Sequence, residues 1–120
     1  MNKSQIVHSF WNSFNIPAYD ENTVSPVTTL PHITYFFASD NFDHPVEMNA
    51  SLWYRSTSWQ DISNKADEIA SAIGDGLILP VDGGYIWITR GRPFAQRMTD
   101  SDDSIRRIYI NIQVEFLTQV

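Results

Sequence analysis

Cysteine is absent from this 120-residue chain, which removes disulfides and thiolate metal sites from consideration and fits folding inside a cell. Positive charge is scarce. Eight Lys and Arg stand against fourteen Asp and Glu, a net charge of −6. That balance keeps a protein soluble and argues against a general nucleic-acid binder, which needs a basic face. No apolar run approaches the ~18 residues of a membrane span. Met1–Gln5 leads into an amphipathic stretch rather than the apolar centre of a signal peptide. The expectation is a chain made in the cytoplasm, with no membrane partner. Phosphate-binding glycine patterns are missing as well: Gly74, Gly76, Gly83, Gly84 and Gly91 fall at caps and turns, with no G-x-G-x-x-G or P-loop.

Aromatic residues are plentiful. Four Trp, five Tyr and seven Phe, each able to bury ~150–250 Å², are enough to hold one small domain together. The length fits a single domain over residues 1–120.

Ile6, Val7, Phe10, Trp11 and Phe14 recur at helical spacing, predicting a short helix over about 4–14 that stops before Pro17. Three prolines (Pro17, Pro26, Pro31) make residues 15–31 an extended connector. Ile33–Ala38 is dense in β-formers, and residues 46–55 alternate, with Val46, Met48, Ala50, Leu52 and Tyr54 on one side. The turn 39–45 joins the two into a hairpin. Phe36 and Trp53 fall on its outward registers. Residues 58–73 form the clearest helix. Ser58 serves as N-cap, Asp61 stands in the first turn, and Trp59, Ile62, Ala66, Ile69 and Ile73 make one buried stripe before Gly74. Two short apolar runs follow, Leu77–Leu79 and Tyr85–Thr89. A polar stretch runs from Arg90 to Ser104, and a long strand over 105–118 alternates Ile108, Ile110, Ile112, Val114 and Phe116 with polar partners. The fold class is α+β. A mainly antiparallel or mixed sheet of four or more strands is flanked by the N-terminal helix (about 4–14) and the central helix (about 58–73).

Catalytic chemistry finds little support. His8, His32 and His44 are scattered without ligand-spaced partners. Asp40 and Asp43 lie in one turn, where Asp is ordinary. Asp100-Ser101-Asp102-Asp103 opens like a calcium loop, but the sixth and twelfth positions are Ile105 and Asn111 rather than Gly and Glu. No catalytic residue, cofactor or metal is expected. One charge feature remains. Arg90, Arg92, Arg97, Arg106 and Arg107 are five of the eight cations, interleaved with Asp100, Asp102 and Asp103. This reads either as a solvated hairpin with local ion pairs of ~0–1 kcal/mol, or as a polar protein–protein interface that uses arginine's bidentate reach. In the second reading the segment has little apolar surface of its own, and is mobile until a partner orders it.

Leu30-Pro31-His32-Ile33-Thr34-Tyr35 resembles the opening strand of small proteins from long-tailed phages. Trp53-Tyr54-Arg55-Ser56-Thr57-Ser58-Trp59 resembles their strand, polar turn and helix passage, and Arg90–Phe94 through Asp102-Asp103 to the last strand resembles their closing run. Order and spacing, over most of the chain from residue 16 on, carry the likeness to the tail terminator (tail completion, minor capsid) family of siphophages and prophages. The resemblance implies a hexameric ring at the head-proximal end of the virion tail. The ring would end tube polymerisation, meet the tail-tube protein and the head–tail connector, and let DNA pass without specific binding. Another neck adaptor or tail-tube component is the nearest alternative, and a small α+β ligand-binding domain or enzyme the second.

Overall fold

Alternation sets the middle of the sheet. In the computed structural model, which describes residues 1–23, 29–40 and 44–119, the two alternating runs are neighbouring antiparallel strands. These are β3 (Val46–Arg55) and β6 (Ile105–Thr118), registered from Val46 opposite Val114 to Arg55 opposite Ile105. Met48, Ala50 and Leu52 are buried on the same side as Ile108, Ile110, Ile112, Val114 and Phe116. A strand that shows one face to a core buries every second residue, and both do.

The full sheet has six strands in the order β1-β2-β3-β6-β5-β4. Here β1 is Ala18–Asp20, β2 His32–Tyr35, β4 Leu77–Val81 and β5 Gly84–Met98. All pairs are antiparallel except β1 with β2. The expected hairpin is present as β2 and β3. Phe36 continues its ladder through N–H donation to Asn49 O (2.9 Å). Pro26, residues 41–43 of the expected turn, and Val120 lie outside the described residues.

Two helices cover the buried face. α1 (Lys3–Trp11) starts on a capping box: Asn2 Oδ1 accepts from Gln5 N (2.8 Å) and Gln5 Oε1 accepts from Asn2 N (2.9 Å). It ends before the expected residue 14, because Asn12 turns its side chain to the next strand, accepting from Ala18 N (3.2 Å). Phe14 stays buried nonetheless. α1 touches both β1 and β4, the two outermost strands. The sheet therefore curls, and α1 spans the opening between its edges. α2 (Gln60–Ile73) lies over β3, β5 and β6, burying Ile62, Ala66, Ile69 and Ile73. It begins two residues later than expected, so the N-cap is Trp59, which makes no side-chain cap bond, rather than the expected Ser58. Ser58 Oγ accepts from Gln60 N (3.1 Å) in the turn that leads in. Lys65 Nζ donates to Phe14 O (2.7 Å), tying α2 to the segment after α1.

Three expectations need correction. The connector 15–31 contains a strand, β1, held by parallel pairing with β2 and by Ile33 N donating to Pro17 O (2.8 Å). Trp59 is only half-buried, and Ile62 rather than Trp59 opens the fully buried stripe of α2. The polar stretch 90–104 is mostly strand. β5 runs on to Met98, with a bulge between Arg90 and Ala95 and ladder pairs from Ala95–Ile110 to Met98–Arg107. β6 supplies a rigid template on one side, so β-propensity inside this segment matters little.

Candidate functional site

The five arginines of segment 90–107 do not form one cluster. Arg97 and Arg106 approach the Trp59 ring, at 4.8 and 5.2 Å from its centre, near the start of α2. Arg106 is fixed further by donating to Thr57 O (2.8 Å) and Asp103 O (2.9 Å). Arg107 points to the opposite face of β6. There it lies 4.6 Å from the Trp53 ring centre and donates from Nε to the buried Ser51 Oγ (3.0 Å). Arg90 and Arg92 belong to the β5 bulge. They line a cleft of about 330 Å³ with Asp75 and Phe94, beside the C-terminal end of α2. Gly91 makes that bulge possible: a Cβ there would stand 2.8 Å from both Cβ and O of Asn111. Asn111 Nδ2 donates to Pro93 O (3.0 Å) across the same bulge.

The three acids form the turn between β5 and β6. Asp100 Oδ1 accepts from Asp102 N (2.9 Å), and Asp102 Oδ1 accepts from Ser104 N and Oγ (2.8 and 2.7 Å). These are Asx turns closed on their own backbone. The hydroxyl of Ser104, then its N–H, hold the Asp102 carboxyl below its ordinary value, and Arg55 at 3.9 Å pulls the same way more weakly. Ser56 N donates to Ser104 O (2.7 Å) and Arg55 Nη1 to Ser104 Oγ (3.1 Å). The turn is thus fastened to the end of β3, which replaces the expected mobile segment with a braced one. Arg90, Arg92 and Arg97 remain exposed and form no ion pair among the described residues.

A second cluster joins residues that look unrelated in sequence. His8 Nδ1 and the Tyr35 hydroxyl are 2.9 Å apart, and both line a cleft of about 560 Å³ with Asp20 and Gln5. Burial, and secondarily the Asp20 carboxylate, push the Tyr35 hydroxyl above its ordinary value. α1 brings His8 to β2, and the β1–β2 pairing brings Asp20 opposite Tyr35. The β1 strand was the missing link. His32 Nδ1 lies 3.0 Å from Thr29 O. Among the described residues no three His, Cys, Asp or Glu side chains converge as metal ligands, and no helix is long and apolar enough to cross a membrane.

The other face of the sheet carries a patch that sequence reasoning did not single out. Ile78, Tyr85 and Trp87 are 61%, 54% and 40% exposed. Ile78 is opposite Trp87 in the β4–β5 ladder, and Pro80 is opposite Tyr85. The run Tyr85–Thr89 is apolar on both faces in sequence, which was the available signal. Which face stays open depends on where the helices lie.

The sequence matches no family model and no curated protein. Among solved structures the fold is similar to a chain from the virion of a native gene transfer agent particle. The two share 15% identity with a TM-score of 0.49, over 91% of this chain and 82% of the other. At that distance the likeness assigns no role.

Proposed function

We propose that this protein is a structural component of a phage-like particle. Within that class we read it as the tail terminator, the subunit that caps the head-proximal end of the tail tube. It stops tube growth and allows the head to join. The order and spacing of the passages around Pro31–Tyr35, Trp53–Trp59 and Arg90–Asp103 support the family reading. One structural observation carries the role. Arg90, Arg92 and Arg97 stand exposed and without ion pairs on a strand braced by β6 and by the fastened turn. Unpaired guanidinium groups held on a rigid frame suit a polar protein interface, because little ordering entropy is lost on contact. In this reading the subunits form a closed ring of six copies. Arg90, Arg92, Arg97, Asp100, Asp102, Asp103, Arg106 and Arg107 belong to or support the contact surface. The partners are the tail-tube protein and the head–tail connector. The acidic chain lets DNA slide through the pore without sticking, and no catalysis or cofactor is involved.

The test is tail assembly in a particle carrying Arg92→Glu and Arg97→Glu. Overlong tails, or tails that do not join heads, are expected from subunits that still fold. Normal tails joined to heads would remove this surface from the mechanism. Deletion of the gene separates the neighbouring roles. A missing terminator leaves tails of uncontrolled length, whereas a missing neck adaptor leaves tails of normal length without heads. Finished, joined particles after deletion would end the reading altogether.

A further inference from the structure

Charge is divided unevenly along the chain. Segment 90–107 holds five Arg against three Asp, a balance of +2, and the remainder holds three cations against eleven acids, −8. The apolar patch of Ile78, Tyr85 and Trp87 lies wholly in the acidic part. Residues 74–89 contain no Lys or Arg. Glu115 is the cross-strand partner of Trp87, while Asp82, in the turn between β4 and β5, is ion-paired with the Met1 ammonium (3.2 Å), and Asp75 lines the Arg90/Arg92 cleft. The Trp87 indole lies so close over Gly76 that a Cβ there would collide with its Nε1, so the ring is already held in place.

The molecule shows what such rings accept. Trp53 is covered by Arg107, Trp59 by Arg97 and Arg106, and Trp11 is buried in the core. Trp87 alone of the four is exposed with no guanidinium over it, while Arg90 and Arg92 are exposed with no ring beneath them. Tyr85 and Arg97, the far ends of the two surfaces, cannot meet within one chain. Tyr85 is registered with Leu117 and Arg97 with Ile108. Nine residues of strand separate those positions on β6, about 30 Å at ~3.3 Å per residue.

We infer that the Ile78/Tyr85/Trp87 patch of one copy receives the Arg92/Arg97 surface of a second copy, head to tail. The Arg92 guanidinium, which has no ring beneath it in its own chain, lies over the aromatic rings, and Glu115 supplies the opposite charge. Different patches meeting in this way make a heterologous contact, which closes into a ring when the rotation allows. This rests on the ring reading proposed above and names the other half of its interface.

Sedimentation velocity of the purified chain tests it without a phage. The wild type should pass from monomer to a larger closed species as concentration rises. Ile78→Lys with Tyr85→Lys should stay monomeric at concentrations where the wild type is assembled, and so should Arg92→Glu with Arg97→Glu. Circular dichroism confirms that each variant is folded. If the lysine pair unfolds, Ile78→Lys alone, at the most exposed position, takes its place. An equimolar mixture of the two variants retains one intact patch and one intact Arg surface, and should give a dimer and nothing larger. The inference is overturned by a wild type that remains monomeric, by a patch variant that assembles normally, or by a mixture that stays monomeric or grows past a dimer. Self-association by this route with normal tails after gene deletion would keep the contact and discard the terminator role. Defective tails with a monomeric wild type would do the reverse.

Discussion

Arg97 lies over Trp59 with its guanidinium 4.8 Å from the ring centre, and Arg106 reaches the same ring at 5.2 Å. A residue near the end of β5 and one near the start of β6 thereby hold the approach to α2. Exposed cation–π contacts contribute about 0.5–1 kcal/mol each, well below the ~3–5 kcal/mol of a core Trp→Ala change. With the half-burial of the ring against the core added, Trp59→Ala should cost about 2–3 kcal/mol in urea unfolding. A loss of about 4 kcal/mol or more would mean that the ring is a core residue after all.

Ile69 is a smaller side chain, yet it is fully buried beneath α2. Ile69→Ala should cost about 2–5 kcal/mol, because the lost transfer energy is joined by a cavity the surroundings cannot fill. The ranking is the sharper test. Ile69→Ala must lower the urea midpoint more than Trp59→Ala does.

Gly91→Ala places a methyl group against Asn111 across the β5 bulge. Relief requires moving β5 away from β6 and weakening the Asn111–Pro93 hydrogen bond. A cost of about 1–3 kcal/mol follows from overpacking. Faster amide exchange should appear over residues 90–98. Unchanged exchange there would show the bulge tolerates a side chain.

The Asp102 carboxyl is held below its ordinary value chiefly by the Ser104 hydroxyl. A depressed folded-state pKa means that its contribution is fully present above the unfolded value and fades as pH falls through the folded one. Asp102 should therefore titrate below a typical aspartate when followed by carbonyl NMR shifts. Ser104→Ala should move its midpoint upward. A midpoint that ignores Ser104→Ala would assign the depression to some other partner.

Both Asp100 and Asp102 already accept hydrogen bonds from the backbone of their own turn. Among the described residues no three acids converge as metal ligands, and the sixth and twelfth loop positions are Ile105 and Asn111. Exhaustive dialysis against a chelator should leave the thermal transition where it was, and a clear downward shift would identify a bound cation.

The strands β3 and β6 were legible to the residue because one of their faces is core and the other is not. α2 was legible through the three- and four-residue spacing of Ile62, Ala66, Ile69 and Ile73. β1 was hidden because three residues beside a proline carry no periodicity, and only pairing with β2 makes them a strand. The far half of β5 was hidden for a related reason. Arg92, Gln96 and Arg97 have the composition of a loop, and the template is β6, which arrives later in sequence. Charge counting found the arginine segment, but not that Arg106 and Arg107, adjacent in sequence, leave a strand on opposite faces. The Ile78/Tyr85/Trp87 patch was beyond reach, since a strand apolar on both sides does not say which side the helices will take.

Because α1 rests on both β1 and β4, the order of synthesis works against the order of docking. Val7, Phe10 and Trp11 leave the ribosome ahead of the strands they pack on. Their second support, β4, begins at residue 77, roughly 3–13 s later at ~5–20 residues per second. Throughout that interval the helix has an apolar stripe and only half of its seat. α1 is accordingly the element most exposed to chaperones and to wrong partners in the nascent chain. Slowing translation before β4 should lower the yield of folded protein more than the same pause placed after β6.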